Sequence, residues 1–325
     1  MRTIDWVDGV PRIVDQTLLP DELRLIDLTT VEELIDAILR LAVRGAPALG
    51  VAGAMGVALA VRLGGDVDDA VRRIRSARPT AVNLAWGVDR AASRRSEGAD
   101  AVLAEALAVR DEEIAASREM GRRGADLLTE LVEGRPRILT HCNAGGLATV
   151  EYGTALAPLR TLHERDWLAE VLTAETRPLL QGARLTAWEL GQAGIPHRLI
   201  ADAAGPAVLA LGLADAVVVG ADRICANGDV VNKIGTYSHA LGAQAAGVPF
   251  VAVAPESTLD PATKSGADVE IEQRAGDELR YAGGRRTAPA GTTALNLAFD
   301  VTPAALVTAI VTERRVIRLD RGDLP

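Results

Sequence analysis

The sequence predicts an α/β protein with a mainly helical N-terminal domain, residues 1–134, and a Rossmann-like parallel-sheet domain, residues 135–325. Three observations predict it. Up to about residue 132, apolar residues recur at helical spacing. From Arg137 onward, short apolar runs alternate with helical stretches. Hydrophobic residues make up 48% of the chain and aromatics only 3%, so the core is built from Ala, Val, Leu and Ile, which suits helices on a buried parallel sheet.

In the first domain Val31, Leu34, Ile35, Ile38, Leu41 and Ala42 predict a helix over 31–43, with Thr29 or Thr30 as its cap. Arg44-Gly45-Ala46-Pro47 interrupts the pattern, and a nearly all-apolar helix follows over 48–63. A loop at 77–80 precedes another helical stretch. Residues 100–132 read as helix, with Asp111, Glu112 and Glu113 on a solvated face. The domain boundary is placed at 133–137. Beyond it, strands are predicted over 137–140, 170–173, 197–200, 216–219 and 250–254, with helices over 182–193, 206–211 and 238–247. Strands spaced by helices form βαβ units, and chemistry gathers at the carboxyl ends of such strands.

Composition excludes several function classes. A net charge of −9 argues against a nucleic-acid surface. No run approaches eighteen uninterrupted apolar residues, so no membrane span is expected, and residues 1–8 show no signal peptide. Two cysteines make no disulfide framework and suit a reducing cytoplasm. No G-x-G-x-x-G follows a strand, there is no Walker A sequence, and the four histidines lack metal-ligand spacing. Neither a nucleotide cofactor nor a metal is expected.

Three breaks in the pattern hold chemistry-bearing residues. In Thr140-His141-Cys142-Asn143-Ala144-Gly145-Gly146 a strand runs into a polar tetrad, then paired glycines, then an expected helix start. Such a helix N-terminus would favour an anion or a thiolate at Cys142; an ordinary strand-to-helix turn with a buried cysteine fits equally. In the second, Asp222 follows a buried strand, where desolvation would raise its pKa and suit it as a general acid. A salt bridge to Arg223 or a turn cap is the alternative. Nearby, Asn232-Lys233 carries one of only two lysines, in a chain that otherwise uses 33 arginines. In the third, Arg177, Gln181 and Arg184 follow a strand and suit phosphate and hydroxyl recognition. Arg44 and Arg78, in breaks between helices, are further candidates. Cys225 is read as packing.

Taken together these segments resemble methylthioribose-1-phosphate isomerase, grouped with the regulatory subunits of translation initiation factor 2B and ribose-1,5-bisphosphate isomerase. The resemblance is carried by Leu-Pro-Asp-Glu at 19–22, Arg-Gly-Ala-Pro-Ala at 44–48, Arg-Pro-Thr-Ala-Val-Asn-Leu at 78–84 and Thr-His-Cys-Asn-Ala-Gly at 140–145. It continues through Tyr-Gly-Thr-Ala-Leu at 152–156, the long motif at 175–187, Gly-Ala-Asp-Arg-Ile at 220–224, Asn-Lys-Ile-Gly-Thr-Tyr at 232–237 and Phe-Asp-Val-Thr-Pro at 299–303. It implies a homodimer whose two domains hold a sugar 1-phosphate between them, with no cofactor. Cys142 and Asp222 match the family's catalytic pair. Arg44, Gly45, Ala46, Arg78, Gln181, Asn232 and Lys233 match its substrate-binding positions. Asn296-Leu297, residues 203–207 and Glu270 depart from the family pattern and bear on the substituent at C5 of the sugar. The alternatives are 5-deoxyribose 1-phosphate or ribose 1,5-bisphosphate as substrate, or a non-catalytic regulatory subunit.

Overall fold

The computed structural model describes residues 1–78 and 81–325, so Pro79 and Thr80 of the predicted loop lie outside the described residues. The chain forms two compact units. One comprises residues 1–118 and 144–156, the other residues 119–143 and 157–325.

The first unit opens with an antiparallel sheet absent from the sequence expectation: β1 (Ile4–Val7), β2 (Val10–Val14) and β3 (Leu25–Asp27), paired in that order. Asp8 and Gly9 join β1 to β2 with φ of 52° and 88°, the two left-handed residues a tight hairpin needs. Helix α1 (Val31–Leu39) starts on a reciprocal cap, in which the Thr30 hydroxyl accepts from Glu33 N–H and the Glu33 carboxylate accepts from Thr30 N–H. It ends at Leu39 and not at residue 43, because Leu41 adopts a left-handed φ of 64°.

Then come α2 (Ala46–Leu63), α3 (Val67–Ser76) and α4 (Val82–Ala92). The backbones of α2 and α4 meet at glycines, since a Cβ on Gly87 would stand 1.9 Å from the Gly50 carbonyl oxygen. By length and composition α2 could cross a membrane, yet 72% of it is buried among this unit's apolar side chains. That burial makes it the unit's core helix. Helix α5 (Ala99–Leu131) runs through the point at which the first unit gives way to the second.

The second unit contains the predicted sheet. Strands β4 (Arg137–Thr140), β5 (Glu170–Ala174), β6 (His197–Ile200) and β7 (Ala216–Val219) lie within a residue of expectation. They alternate with α6 (Leu156–Glu164), with α7 (Ala187–Gln192) after a π-helical turn over Gly182–Thr186, and with α8 (Ala204–Ala210). The chain continues through β8 (Arg223–Cys225), β9 (Val230–Lys233), α9 (Thr236–Ala246), β10 (Phe250–Val253) and β11 (Leu259–Asp260). It closes with α10 (Asp277–Arg280), β12 (Tyr281–Ala282), β13 (Arg285–Arg286), β14 (Phe299–Thr302), β15 (Ala309–Val311) and β16 (Val316–Ile317).

The main sheet has the order β16-β15-β10-β7-β4-β5-β6, parallel throughout except for β16. Numbered along the chain, its six parallel strands read 3-2-1-4-5-6 from β6 to β15, the doubly wound order whose switch point lies between β4 and β7. A smaller sheet, β11-β8-β9-β14, was not predicted.

The helix expected directly after Cys142 is also replaced. Only a 3-10 turn forms over Gly146–Ala148, and α6 begins at Leu156. Paired glycines favour no helix, and the intervening backbone is bound elsewhere within the first unit. The Thr3 N–H donates to the Val150 carbonyl at 2.8 Å, and the Gln16 side-chain amide donates to the Leu147 carbonyl at 2.7 Å.

Candidate active site

Cys142 stands two residues beyond β4, and Asp222 three residues beyond β7, its parallel neighbour. Adjacent strands lie about 4.8 Å apart, so these residues leave the sheet on either side of its switch point. Gln181 belongs to the turn after β5, which pairs with β4 on the other side. Three of the predicted site residues therefore follow the carboxyl ends of three neighbouring strands.

The thiol-bearing residue is held by its backbone. Cys142 is buried, with a positive φ of 62°, a conformation that costs a side-chain-bearing residue about 1–2 kcal/mol. Its N–H donates to the Thr176 hydroxyl at 2.8 Å, and its carbonyl accepts from the Thr186 hydroxyl at 2.6 Å. Asn143, next in the chain, donates to Glu189 at 2.7 Å, and Arg160 neutralises the other oxygen of that buried carboxylate at 3.1 Å.

Asp222 is exposed, which corrects the expectation of a desolvated acid at the strand end. The strand stops at Val219, and the Asp222 amide turns to donate to the Val231 carbonyl at 2.9 Å. Arg223 pairs with Asp260 at 3.1 Å.

Asn232 and Lys233 end β9, opposite Asp300 and Phe299 of β14. Asn232 is buried and donates to the Thr236 hydroxyl at 3.0 Å. The Lys233 ammonium donates to the Ala298 carbonyl at 2.8 Å and lies 4.3 Å from the Phe299 ring centroid. Asp300 accepts from the Gly235 and Tyr237 amides at the start of α9, and burial pushes its carboxyl up to about 6. Gln181 is 7% exposed, and its Oε1 has no hydrogen-bond partner among the described residues. A buried acceptor in that state is available to a ligand hydroxyl.

Arg44, Gly45, Ala46 and Arg78 belong to the first unit. Gly45 precedes α2 with φ 95°, and a Cβ there would stand 2.3 Å from the Ala148 carbonyl oxygen, so only glycine fits. Ala46 opens the helix, and its N-cap residue Gly45 makes no side-chain capping hydrogen bond. Arg44 thus lies beside an end of a long helix that favours anions. Arg78 follows α3, and its carbonyl accepts from the Ala81 N–H at 3.0 Å.

Two phosphate candidates from the sequence are otherwise engaged. The Arg177 guanidinium donates to the carbonyls of Pro178, Glu278 and Leu279, which ties it to backbone. Arg184 points toward the Leu179 carbonyl at 3.5 Å. Glu113, expected on a solvated face, instead takes a hydrogen bond from Ser117, and burial pushes its carboxyl up to about 7. Cys225 is buried, with its thiol pushed up to about 11 by desolvation. Among the described residues no group of three or more His, Cys, Asp and Glu side chains is arranged to hold a metal ion.

Thr176, Thr186, Glu189, His239 and Asp300 were not singled out from the sequence. Each lies tens of residues from its partner, so no local pattern announces it.

The fold and site define a doubly wound α/β chain with a thiol and a carboxylate beside the sheet's switch point. The chain belongs to the Initiation factor 2 subunit family, whose model matches residues 42–318. It is 56% identical over 331 residues to the probable bifunctional methylthioribose-1-phosphate isomerase/methylthioribulose-1-phosphate dehydratase of Nocardia farcinica, covering 98% of this chain but 60% of that one. It is 51% identical over 332 residues to the 5-deoxyribose 1-phosphate isomerase of Moorella thermoacetica, covering 97% and 93% of the two chains. Among solved structures, 5-methylthioribose 1-phosphate isomerase from Pyrococcus horikoshii OT3 superposes with a TM-score of 0.91 at 41% identity, covering 98% of this chain and 92% of that one. The structure described as translation initiation factor eIF-2B, subunit delta, from A. fulgidus gives 0.87 at 43% identity, with 98% and 96% covered.

Proposed function

We propose that this chain is an aldose–ketose isomerase that converts 5-methylthioribose 1-phosphate to 5-methylthioribulose 1-phosphate in methionine salvage, with Asp222 as proton donor and Cys142 acting at C2. The observation that carries the reading is the placement of Cys142 and Asp222 after adjacent parallel strands, one on each side of the switch point. The isomerase relatives support the reaction class.

Phosphate on the anomeric oxygen blocks the usual route through a free aldehyde. In this reading Asp222 gives its proton to the ring oxygen as the bond from that oxygen to C1 breaks, with phosphate retained on C1. The hydrogen on C2 then reaches C1 by one of two routes. It passes directly as hydride, or the Cys142 thiolate takes it as a proton, leaving an enol phosphate, and returns it to C1. In both routes the 2-hydroxyl proton returns to the Asp222 carboxylate, so the proton count closes. Asp222 is exposed here, and the bound sugar must displace water from it for this step.

Substrate-binding roles go to Arg44, Gly45, Ala46, Arg78, Gln181, Asn232 and Lys233. The start of α2 beside Arg44, whose N-cap residue is a glycine, and the Gln181 Oε1 left without a partner among the described residues support two of these. The family resemblance also supports a cytoplasmic homodimer, for which sedimentation is the test.

A second reading, 5-deoxyribose 1-phosphate as substrate, is favoured by the identity to the Moorella protein. An NMR-monitored assay of both sugars, beside Cys142→Ala and Asp222→Asn, tests the proposal. Turnover of the methylthio sugar by wild type and loss in both folded variants supports it; inertness toward every sugar 1-phosphate overturns it in favour of a regulatory subunit. Deuterium at C2 separates the routes: full retention at C1 marks hydride shift, whereas washout marks the enol, because the proton held on the Cys142 sulfur exchanges with water before delivery to C1.

A further inference from the structure

Three loops of the second unit meet at one imidazole. His141, between β4 and Cys142, is buried, and its Nε2 lies 2.8 Å from the Ile234 carbonyl oxygen. A carbonyl only accepts, so Nε2 carries the proton. Burial pushes the ring's pKa down to about 4, so it is neutral near pH 7 and its Nδ1 is an acceptor. His239 Nε2 stands 3.2 Å from that Nδ1 and is therefore the donor. The same Nδ1 is 3.9 Å from Asp202, whose carboxylate accepts the amides of Thr176 and Arg177 at 2.7 and 2.6 Å. Thr176 in turn accepts the Cys142 amide.

Both rings pack against glycine backbone where a side chain would intrude. A Cβ on Gly235 would stand 3.0 Å from His141, and one on Gly205 would stand 2.1 Å from His239 Nδ1. That Nδ1 is buried with no hydrogen-bond partner among the described residues. An apolar side chain would leave no such unpaired acceptor, so packing alone does not account for a second imidazole here.

We propose that His141 is a positioning residue for the isomerisation: held in one tautomer by His239, it fixes the loop of Asn232 and Lys233 relative to the Cys142 thiol. The proposal rests on the isomerase reading above. It is tested by comparing wild type with His141→Gln, which keeps an N–H able to reach Ile234, and His141→Leu, which fills similar space without a donor. Turnover of 5-methylthioribose 1-phosphate is read beside the rate of iodoacetamide labelling at Cys142, followed on its own peptide by mass spectrometry.

His141→Leu is expected to raise KM about tenfold and lower kcat about tenfold or more, as misplacement of about an ångström does. Labelling of Cys142 should quicken several-fold, and His141→Gln should restore both readouts toward wild type. If His141→Leu does not fold, His141→Asn, whose amide falls short of Ile234, replaces it with the same expectations. Unchanged KM and labelling in the donor-less variant overturns the proposal. So does equal loss in the Gln and donor-less variants at constant KM, which is what a merely structural role gives. A wild type inert toward sugar 1-phosphates sinks the isomerase reading, while the labelling comparison still decides whether His141 couples the loops.

Discussion

The amide of Cys142 donates to the hydroxyl of Thr176 at 2.8 Å, and both residues hold left-handed backbone, with φ of 62° and 65°. Two side-chain-bearing residues in that region, joined by a buried hydrogen bond, fix where the loop after β4 delivers its thiol. Thr176→Val keeps the shape and removes the acceptor, leaving a buried N–H unpaired. The expected loss is about 1–3 kcal/mol in denaturant unfolding, with Thr176→Ser close to wild type. A Val variant as stable as wild type would show that this bond does not hold the loop.

Cys142→Ala and Asp222→Asn are expected to lower kcat roughly 10²–10⁴-fold, the range for removing a group that moves protons in the rate-determining step. Asp222 is exposed, so Asp222→Asn should leave the melting temperature nearly unchanged. Circular dichroism melts beside the kinetics separate lost chemistry from lost fold.

Asp300 gives a pH dependence of definite sign. Burial holds its carboxyl at about 6 in the folded protein, against 3.8 unfolded, in spite of the Gly235 and Tyr237 amides that favour the anion. Its contribution to stability is complete below pH 3.8 and is lost as pH rises through about 6, where the folded protein must carry a half-buried anion. The difference is about 3 kcal/mol between the two limits. Relative to wild type, Asp300→Asn should therefore gain stability between pH 5 and pH 7.5. Chemical denaturation at the two pH values measures it; a constant difference would mean that Asp300 does not titrate in this window.

Gly45→Ala should be strongly destabilising. It forces a side chain into φ 95° and brings a Cβ within 2.3 Å of the Ala148 carbonyl oxygen. The expected loss is roughly 2–5 kcal/mol. A thermal melt unaffected by the change would show that the start of α2 can shift without cost.

Most of the parallel sheet was legible because buried strands announce themselves: Ala216-Val217-Val218-Val219 and Phe250-Val251-Ala252-Val253 are unbroken apolar runs, buried along their length. The N-terminal hairpin was not read, although Asp8-Gly9 between two short β-prone segments is the turn such a hairpin needs. The turn after Cys142 was misread because its conformation is set by Thr3 and Gln16, over a hundred residues away. Residue type at breaks in the strand-and-helix pattern, together with the family resemblance, marked Cys142, Asp222, Gln181 and Lys233. What holds them could not be read so: Thr176, His239 and Asp300 act through contacts that only the folded chain creates. The exposure of Asp222 was missed for a related reason, since strand position says which end of a sheet a residue leaves but not how the following turn covers it.

The segment 144–156 follows Cys142 directly in the chain yet folds with residues 1–118. Neither compact unit is thus one contiguous stretch of sequence. A fragment ending at residue 134 would leave the hydroxyl of Thr3 and the amide of Gln16 without the backbone they bind. The two units cannot be exchanged among relatives as cassettes by a single crossover, and inheritance should keep the cysteine loop together with the N-terminal hairpin.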